Sequence, residues 1–288
     1  MIGRITGLKC IAVEWRLLPV KTIAVLLCAI ALFAESVRIE YAAVQPAVIQ
    51  QRLEMVSRKL AERRGTLESL FAHVGCGGDN LTNQGVPGSK EPNIICAMPG
   101  ETAGTIVVGG HYDFIDRGEG AIDDWSGVAL LPSLYQSLTS RPRRHRFVFI
   151  GFAGEEAGLF GSMQYVKKLS GQERSEVRAM VNLECLGLDA PKVWASRADK
   201  ELLADYVEAL NAIHMQPLVS NVDHMGDDDS HPFLNARIPV LTMHSITSSN
   251  FGLLHTQRDN LKAIHPADYY DAYRVAATFL AYLDGKLE

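Results

Sequence analysis

The sequence predicts a single α/β domain whose central sheet is largely parallel and covered by helices on both faces. Three observations predict it. Short β-branched apolar runs alternate with longer amphipathic stretches, the order that parallel strands and crossover helices require. The strand runs 105–110 (TIVVGG) and 146–153 (RFVFIGFA) are apolar almost throughout, as strands buried on both faces must be. The 288 residues, 47% hydrophobic and 21% charged, have globular composition, which excludes a disordered chain and leaves ample material for one core.

Residues 23–34 (IAVLLCAIALFA) form an apolar run preceded by Arg4, Lys9, Arg16 and Lys21 and followed by Ala34-Glu35-Ser36. That is the layout of a secretory signal peptide. As a helix it would rise only ~18 Å, short of the ~30 Å bilayer core. Leu17, Leu18 and Val20 lengthen the run enough to keep an uncleaved signal anchor as the alternative. Residues 1–36 are therefore expected to be a signal peptide or anchor and residues 37–288 the catalytic domain, exported to the periplasm or outside, or tethered to a membrane. Removing the leader leaves 24 basic against 31 acidic residues, net −7. Such a balance gives no basic footprint for nucleic acid.

Next come an expected helix over 46–73, with Ile49, Leu53, Val56, Leu60, Leu67 and Leu70 at three- and four-residue spacings, and a Gly-, Asn- and Pro-rich loop over 75–92. Strands are expected at 93–98, 105–110, 146–153, 177–183, 192–195 and 239–244, and helices at 125–138, 159–169, 199–213 and 267–283. The basic run 141–146 (RPRRHR) reads as a solvated loop before a strand. Without a CxxC pair, the cysteines form neither a zinc ribbon nor a thioredoxin-type redox motif. Outside the leader, Cys76, Cys96 and Cys185 remain. Export favours a Cys76–Cys96 disulfide, with two buried thiols as the alternative, and leaves Cys185 unpaired.

Active sites of open α/β sheets gather beyond the carboxyl ends of the strands. Here those ends carry His111-Tyr112-Asp113, then Gly120-Ala121-Ile122-Asp123-Asp124-Trp125-Ser126-Gly127 at a helix start, Gly154-Glu155-Glu156, Glu184, and far downstream His255-Thr256-Gln257-Arg258-Asp259. Imidazoles and several carboxylates converging in one crevice carry excess negative charge that bound cations relieve. Mixed His/Asp/Glu donors suit zinc.

In this order the set resembles the M28 family of zinc aminopeptidases, with its GxHxD, GAxDxxSG, GEE, N-L-D and HTxxD segments. The resemblance implies a mixed central sheet of the zinc-exopeptidase type and two zinc ions per chain. By the same resemblance His111 serves the first metal, Asp123 bridges both, and Glu156 and His255 serve the second. Glu155 is the general base for metal-activated water, and Asp113 joins it in the catalytic set by orienting His111. Asp259 is expected to orient His255 in the same way. Glu184 stands where the family has aspartate and is expected to ligate the first metal. Segment 228–233 (DDSHPF) is similar to a family S-D-H segment in scrambled order, which makes Asp229 and His231 candidates for substrate binding, with a purely structural loop as the alternative. The implied activity is removal of N-terminal residues from peptide or aminoacyl substrates. A one-zinc transferase resembling glutaminyl cyclases and a catalytically silent ectodomain are the competing readings.

Overall fold

The computed structural model describes residues 37–287, so the leader read at 1–36 lies outside the described residues. Among the described residues no helix is long and apolar enough to cross a membrane.

The strands are β1 (Leu81–Gln84), β2 (Asn93–Met98), β3 (Thr105–His111), β4 (Arg146–Phe152), β5 (Val177–Glu184), β6 (Lys192–Val193) and β7 (Val240–His244), in the sheet order β1-β2-β4-β3-β5-β7-β6. The central four, β4-β3-β5-β7, run parallel. The strands outside them, β1, β2 and β6, pair antiparallel. The sheet is thus mixed, with a parallel core. The helices are α1 (Pro46–Leu53), α2 (Leu60–His73), α3 (Ser126–Val128), α4 (Leu131–Leu138), α5 (Phe160–Lys168), α6 (Gly171–Glu176), α7 (Lys200–Ala212), α8 (His231–Asn235) and α9 (Pro266–Lys286).

Alternation along the strands sends side chains to two cores. Ile106, Val108, Phe147 and Phe149 join the larger core with α1, α2, α4, α7 and α9. Val107, Val148 and Ile150 join the smaller one, where Tyr165 of α5 and Phe233 of α8 pack. Both faces are covered, which is why the central strands read as unbroken apolar runs. The chain leaves β3 toward β4 on one side, and β5 leads toward β7 on the other. The crevice between the carboxyl ends of β3 and β5 is therefore the switch point where an open α/β sheet binds ligands, and His111 and Glu184 end those two strands.

Some expectations need correction. The helix read over 46–73 is two helices, broken at 54–59, where Ser57 Oγ takes the Lys59 N–H at 3.1 Å and donates to Glu62 at 2.7 Å. The loop read over 75–92 contains β1, a mostly polar edge strand (LTNQ) whose composition gives no strand signal. The helix read over 125–138 is interrupted at 129–130, because Pro132 offers no N–H to the turn before it. The basic run is only half solvated: Arg143 and His145 are buried, Arg143 on the carbonyls of Leu138 (2.6 Å) and Glu40 (3.0 Å), His145 with its N–H on Asp284 (2.8 Å). Cys76 and Cys96 form a disulfide that ties the end of α2 to β2, and Cys185 is free and buried.

Candidate metal centre and active site

Five strand-end and loop residues meet at the carboxyl edge of the sheet. His111 is buried at the end of β3. Its Nε2 lies 3.1 Å from Asp123 Oδ1 and 3.5 Å from Glu184 Oε1. The other Asp123 oxygen lies 3.0 Å from His255 Nε2, which is also 3.3 Å from Glu156 Oε2. Two donor groups result, His111–Asp123–Glu184 and Asp123–Glu156–His255, and the ligand atoms of each lie within 4.8 Å of one another. Asp123 belongs to both. Glu155 sits beside them, its Oε2 3.8 Å from His111 Nε2.

Local structure explains why these side chains converge. Asp123 lies in the turn Ala121–Trp125, outside helical φ/ψ, which frees it to point away from the helix that follows. Gly120 enters that turn at φ 58°, and a Cβ there would collide with Phe114. Gly154 takes φ 78° at the end of β4 and turns Glu155 and Glu156 back over the edge. Asp113 accepts the N–H groups of all three residues of that turn, 154–156.

The electrostatics call for cations. Burial works against a charge on His111, yet Glu155, Asp113 and Asp123 together raise its pKa well above the usual value. Hydrogen bonds donated to Asp123 and Glu156 push His255 up to about 10. Burial raises Glu155, Glu184 and Asp124 above the usual carboxylate range. More carboxylates are packed here than two imidazoles neutralise, and Glu156 Oε1 is buried without a hydrogen-bond partner. A divalent cation in each donor group relieves both conditions, so the residues fit the metal their chemistry implies.

A cleft opens beside the cluster. Trp194, Val222, Met225, Ile246, Phe251 and Leu254 give it an apolar wall, and Asp227 and Asp228 an acidic edge. Among the described residues no lysine or arginine lines it.

Other candidates sit differently from expectation. Asp259 does not orient His255; its Oδ1 accepts the Ile122 N–H at 2.7 Å and so fixes the Asp123 turn. His231 pairs with Asp227 at 3.0 Å and faces a separate apolar hollow with Phe160 and Met163. Asp229 is fully buried behind the cleft, where burial pushes its pKa to about 8, and does not line it. Neither lines the cleft. Sequence reasoning missed Asp124 as a hub: its carboxylate accepts N–H groups from His111 (3.2 Å), Gly127 (3.0 Å) and Cys185 (2.9 Å), joining β3, α3 and the end of β5. The only signal was its place before Ser-Gly at a helix start, which reads as a cap. It also missed Asp228, on the cleft edge, held by Ser230 and by Thr242 Oγ1 at 2.7 Å.

A parallel-cored α/β sheet with paired His and carboxylate donors at its switch point defines an α/β protein with a two-part candidate metal centre. The profile of peptidase family M28 matches residues 93–280, and the chain belongs to that family. It is 28% identical over 160 residues to Aminopeptidase Y of Saccharomyces cerevisiae, a match that takes in 52% of this chain and 29% of that one. The chain spans between 19% and 35% of the length of the curated relatives it matches. Its fold is similar to that of the Legionella pneumophila LapA aminopeptidase, with a TM-score of 0.74, 21% identity, and coverage of 85% of this chain and 73% of that one. It is also similar to an Acidobacteriales bacterium glutaminyl cyclase, with a TM-score of 0.67, 19% identity, and coverage of 84% and 96%. Likeness at these identities shows the shared fold.

Proposed function

We propose that the chain is a zinc-dependent exopeptidase that removes N-terminal residues from peptides. The observation that carries this reading is the pair of donor groups sharing Asp123, with Glu155 beside them, opening onto a cleft edged by Asp227 and Asp228. Asp227 is paired with Arg197 at 2.7 Å, so it is Asp228 and the excess carboxylates of the donor groups, with no arginine or lysine lining the cleft among the described residues, that favour a substrate's terminal ammonium over its terminal carboxylate. The apolar wall suits an uncharged side chain next to that ammonium. His111, Asp123 and Glu184 would hold one zinc, and Asp123, Glu156 and His255 a second. Zinc bound there supplies a Lewis acid for the scissile carbonyl and makes water acidic enough to attack near neutral pH. Glu155 takes the proton of the attacking water and hands it to the leaving amine. Asp113 and Asp124 hold the backbone that aims these groups.

The disulfide supports export, since such bonds persist in oxidising compartments. Delivery would rest on residues 1–36, as a cleaved leader or as a membrane tether.

The test is a panel of aminoacyl amides, dipeptides and their N-acetylated forms, run with and without a chelator. Cleavage of the free-amine substrates alone, lost with chelator and restored by zinc, supports the reading. Preference for N-blocked substrates with a free carboxylate overturns the aminopeptidase assignment. A second reading is favoured by one observation: the glutaminyl cyclase match takes in 96% of that chain. Cyclisation of an N-terminal glutamine by a chain holding one zinc supports that alternative.

A further inference from the structure

We propose that Arg63, on a helix preceding the family-matched segment, is a positioning residue for the Asp123–Glu156–His255 group. The proposal rests on the metal reading above and adds a residue to it.

Arg63 is fully buried in α2. Its Nε donates to the Ser57 carbonyl at 2.7 Å, in the break between α1 and α2. Nη1 donates to the Tyr112 carbonyl at 3.2 Å, and Nη2 to the carbonyls of Glu119 and, at 2.9 Å, Gly120. The guanidinium lies over the Phe114 ring, 4.2 Å from its centre. One side chain therefore closes both ends of the loop 112–120, which starts next to His111 and ends three residues before Asp123. The forked, planar donor set is what lets one residue bind carbonyls from three chain segments, and a lysine has no such fork.

The same loop is the footing of His255. The Glu119 N–H donates to the Asp259 carbonyl at 2.7 Å, and Glu119 Oε2 accepts the Leu261 N–H at 3.2 Å. A Cβ on Gly118 would strike the Thr256 carbonyl, so the loop lies directly against the backbone that follows His255. His255 needs that footing most. It is the most exposed of the five donors, at 50%, and takes φ 55°. Glu184, by contrast, ends a central strand and is held by Asn182 at 3.2 Å and Cys185 at 3.4 Å, far from this loop in the chain. Removing Arg63 should thus loosen Asp123 and His255 together and weaken their group more than the His111 end. Its charge also suits the place. Burial lowers its pKa to about 10, opposed by Asp259 and Asp113, so the group stays cationic beside the acidic cluster.

The experiment titrates zinc calorimetrically into chelator-stripped chain, wild type against Arg63→Met, Arg63→Lys and Arg63→Ala. The expected result in Arg63→Met is one zinc equivalent weakened ~10–100-fold and the other weakened much less, through the shared Asp123, with Arg63→Lys intermediate. In Arg63→Ala, guanidinium ion below denaturing concentration should restore the weakened equivalent, and methylammonium should not. If Arg63→Met fails to fold, Arg63→Lys with the same two-site titration decides. Wild-type affinity for both equivalents in the folded variants, or equal weakening of both, overturns the proposal. A wild-type chain that takes up no zinc overturns the metal reading itself and Arg63's role with it.

Discussion

Asp113 holds Glu155 through the main chain: its Oδ1 accepts the Glu155 N–H at 3.1 Å, while the same carboxylate takes the N–H groups of Gly154 and Glu156 at 2.9 and 3.1 Å. Its relation to His111 is weaker than the sequence suggests. The His111 Nδ1 partner is the Asp113 backbone carbonyl at 3.2 Å, and the carboxylate is 3.6 Å away, beyond hydrogen-bond range. Asp113→Asn keeps one acceptor oxygen but sets an amide donor against the Glu156 N–H. Turnover should fall ~10–100-fold, with zinc lost from the group containing Glu156 before the group containing His111. Kinetics and metal content measured together check this, and loss from the His111 group first would restore the orienting role for Asp113.

Glu155 lies beside the donor groups and belongs to neither. Its Oε2 lies 3.8 Å from His111 Nε2, in surroundings whose burial raises its pKa. Glu155→Gln preserves shape and removes the base. Turnover should drop ~10²–10⁴-fold with metal content unchanged. Turnover within a few-fold of wild type would remove Glu155 from the proton-transfer role.

The parallel core was legible because apolar runs make buried strands, and His111 and Glu184 because polar residues at strand ends reach the carboxyl edge; the full set of five donors was legible only through the resemblance of the ordered motifs to family M28. What stayed illegible depends on distant partners. Arg143 and His145 look solvated until Glu40 and Asp284 arrive from far along the chain. Asp259 looks like a companion of His255 by proximity in sequence, yet its carboxylate serves Ile122, 137 residues away. The break after α1 escapes because the apolar spacing runs on through it, while Ser57 and Arg63 redirect the backbone by hydrogen bonds that periodicity does not register.

Glu184, where the resemblance leads one to expect aspartate, reaches His111 Nε2 to 3.5 Å. Its other neighbours are Asn182 and Cys185. Glu184→Ala leaves two protein donors in the His111 group, where three are usual for a catalytic zinc, so that zinc should be lost first. Glu184→Asp should keep the metal at reduced affinity, with a smaller fall in activity than alanine. Equal zinc content in wild type and Glu184→Ala would end the ligand assignment.

The last prediction concerns acid stability and His244, which ends β7 beside Glu184 and lines the cleft. Its Nδ1 accepts the Ile246 N–H at 3.0 Å and its Nε2 meets the Ser220 carbonyl at 2.9 Å, an arrangement that requires the neutral ring with its proton on Nε2. Burial lowers its pKa from 6.5 to about 4. A folded value below the unfolded one means that the unfolded chain binds more protons between those limits. The contribution of His244 is therefore fully present above the unfolded value and is lost as pH falls toward about 4. Buried acids with raised pKa, such as Glu155, Glu184 and Asp124, shift stability in the opposite direction, so absolute stabilities mix the effects. A difference isolates the histidine. His244→Asn keeps an acceptor for Ile246, loses the bond to Ser220 at a pH-independent cost of ~1 kcal/mol, and removes the titration. Urea unfolding of chelator-treated protein should show wild type losing about 2 kcal/mol relative to the variant between about pH 7.5 and about pH 5. Parallel pH dependence in the two proteins would mean that His244 is not held neutral by the fold.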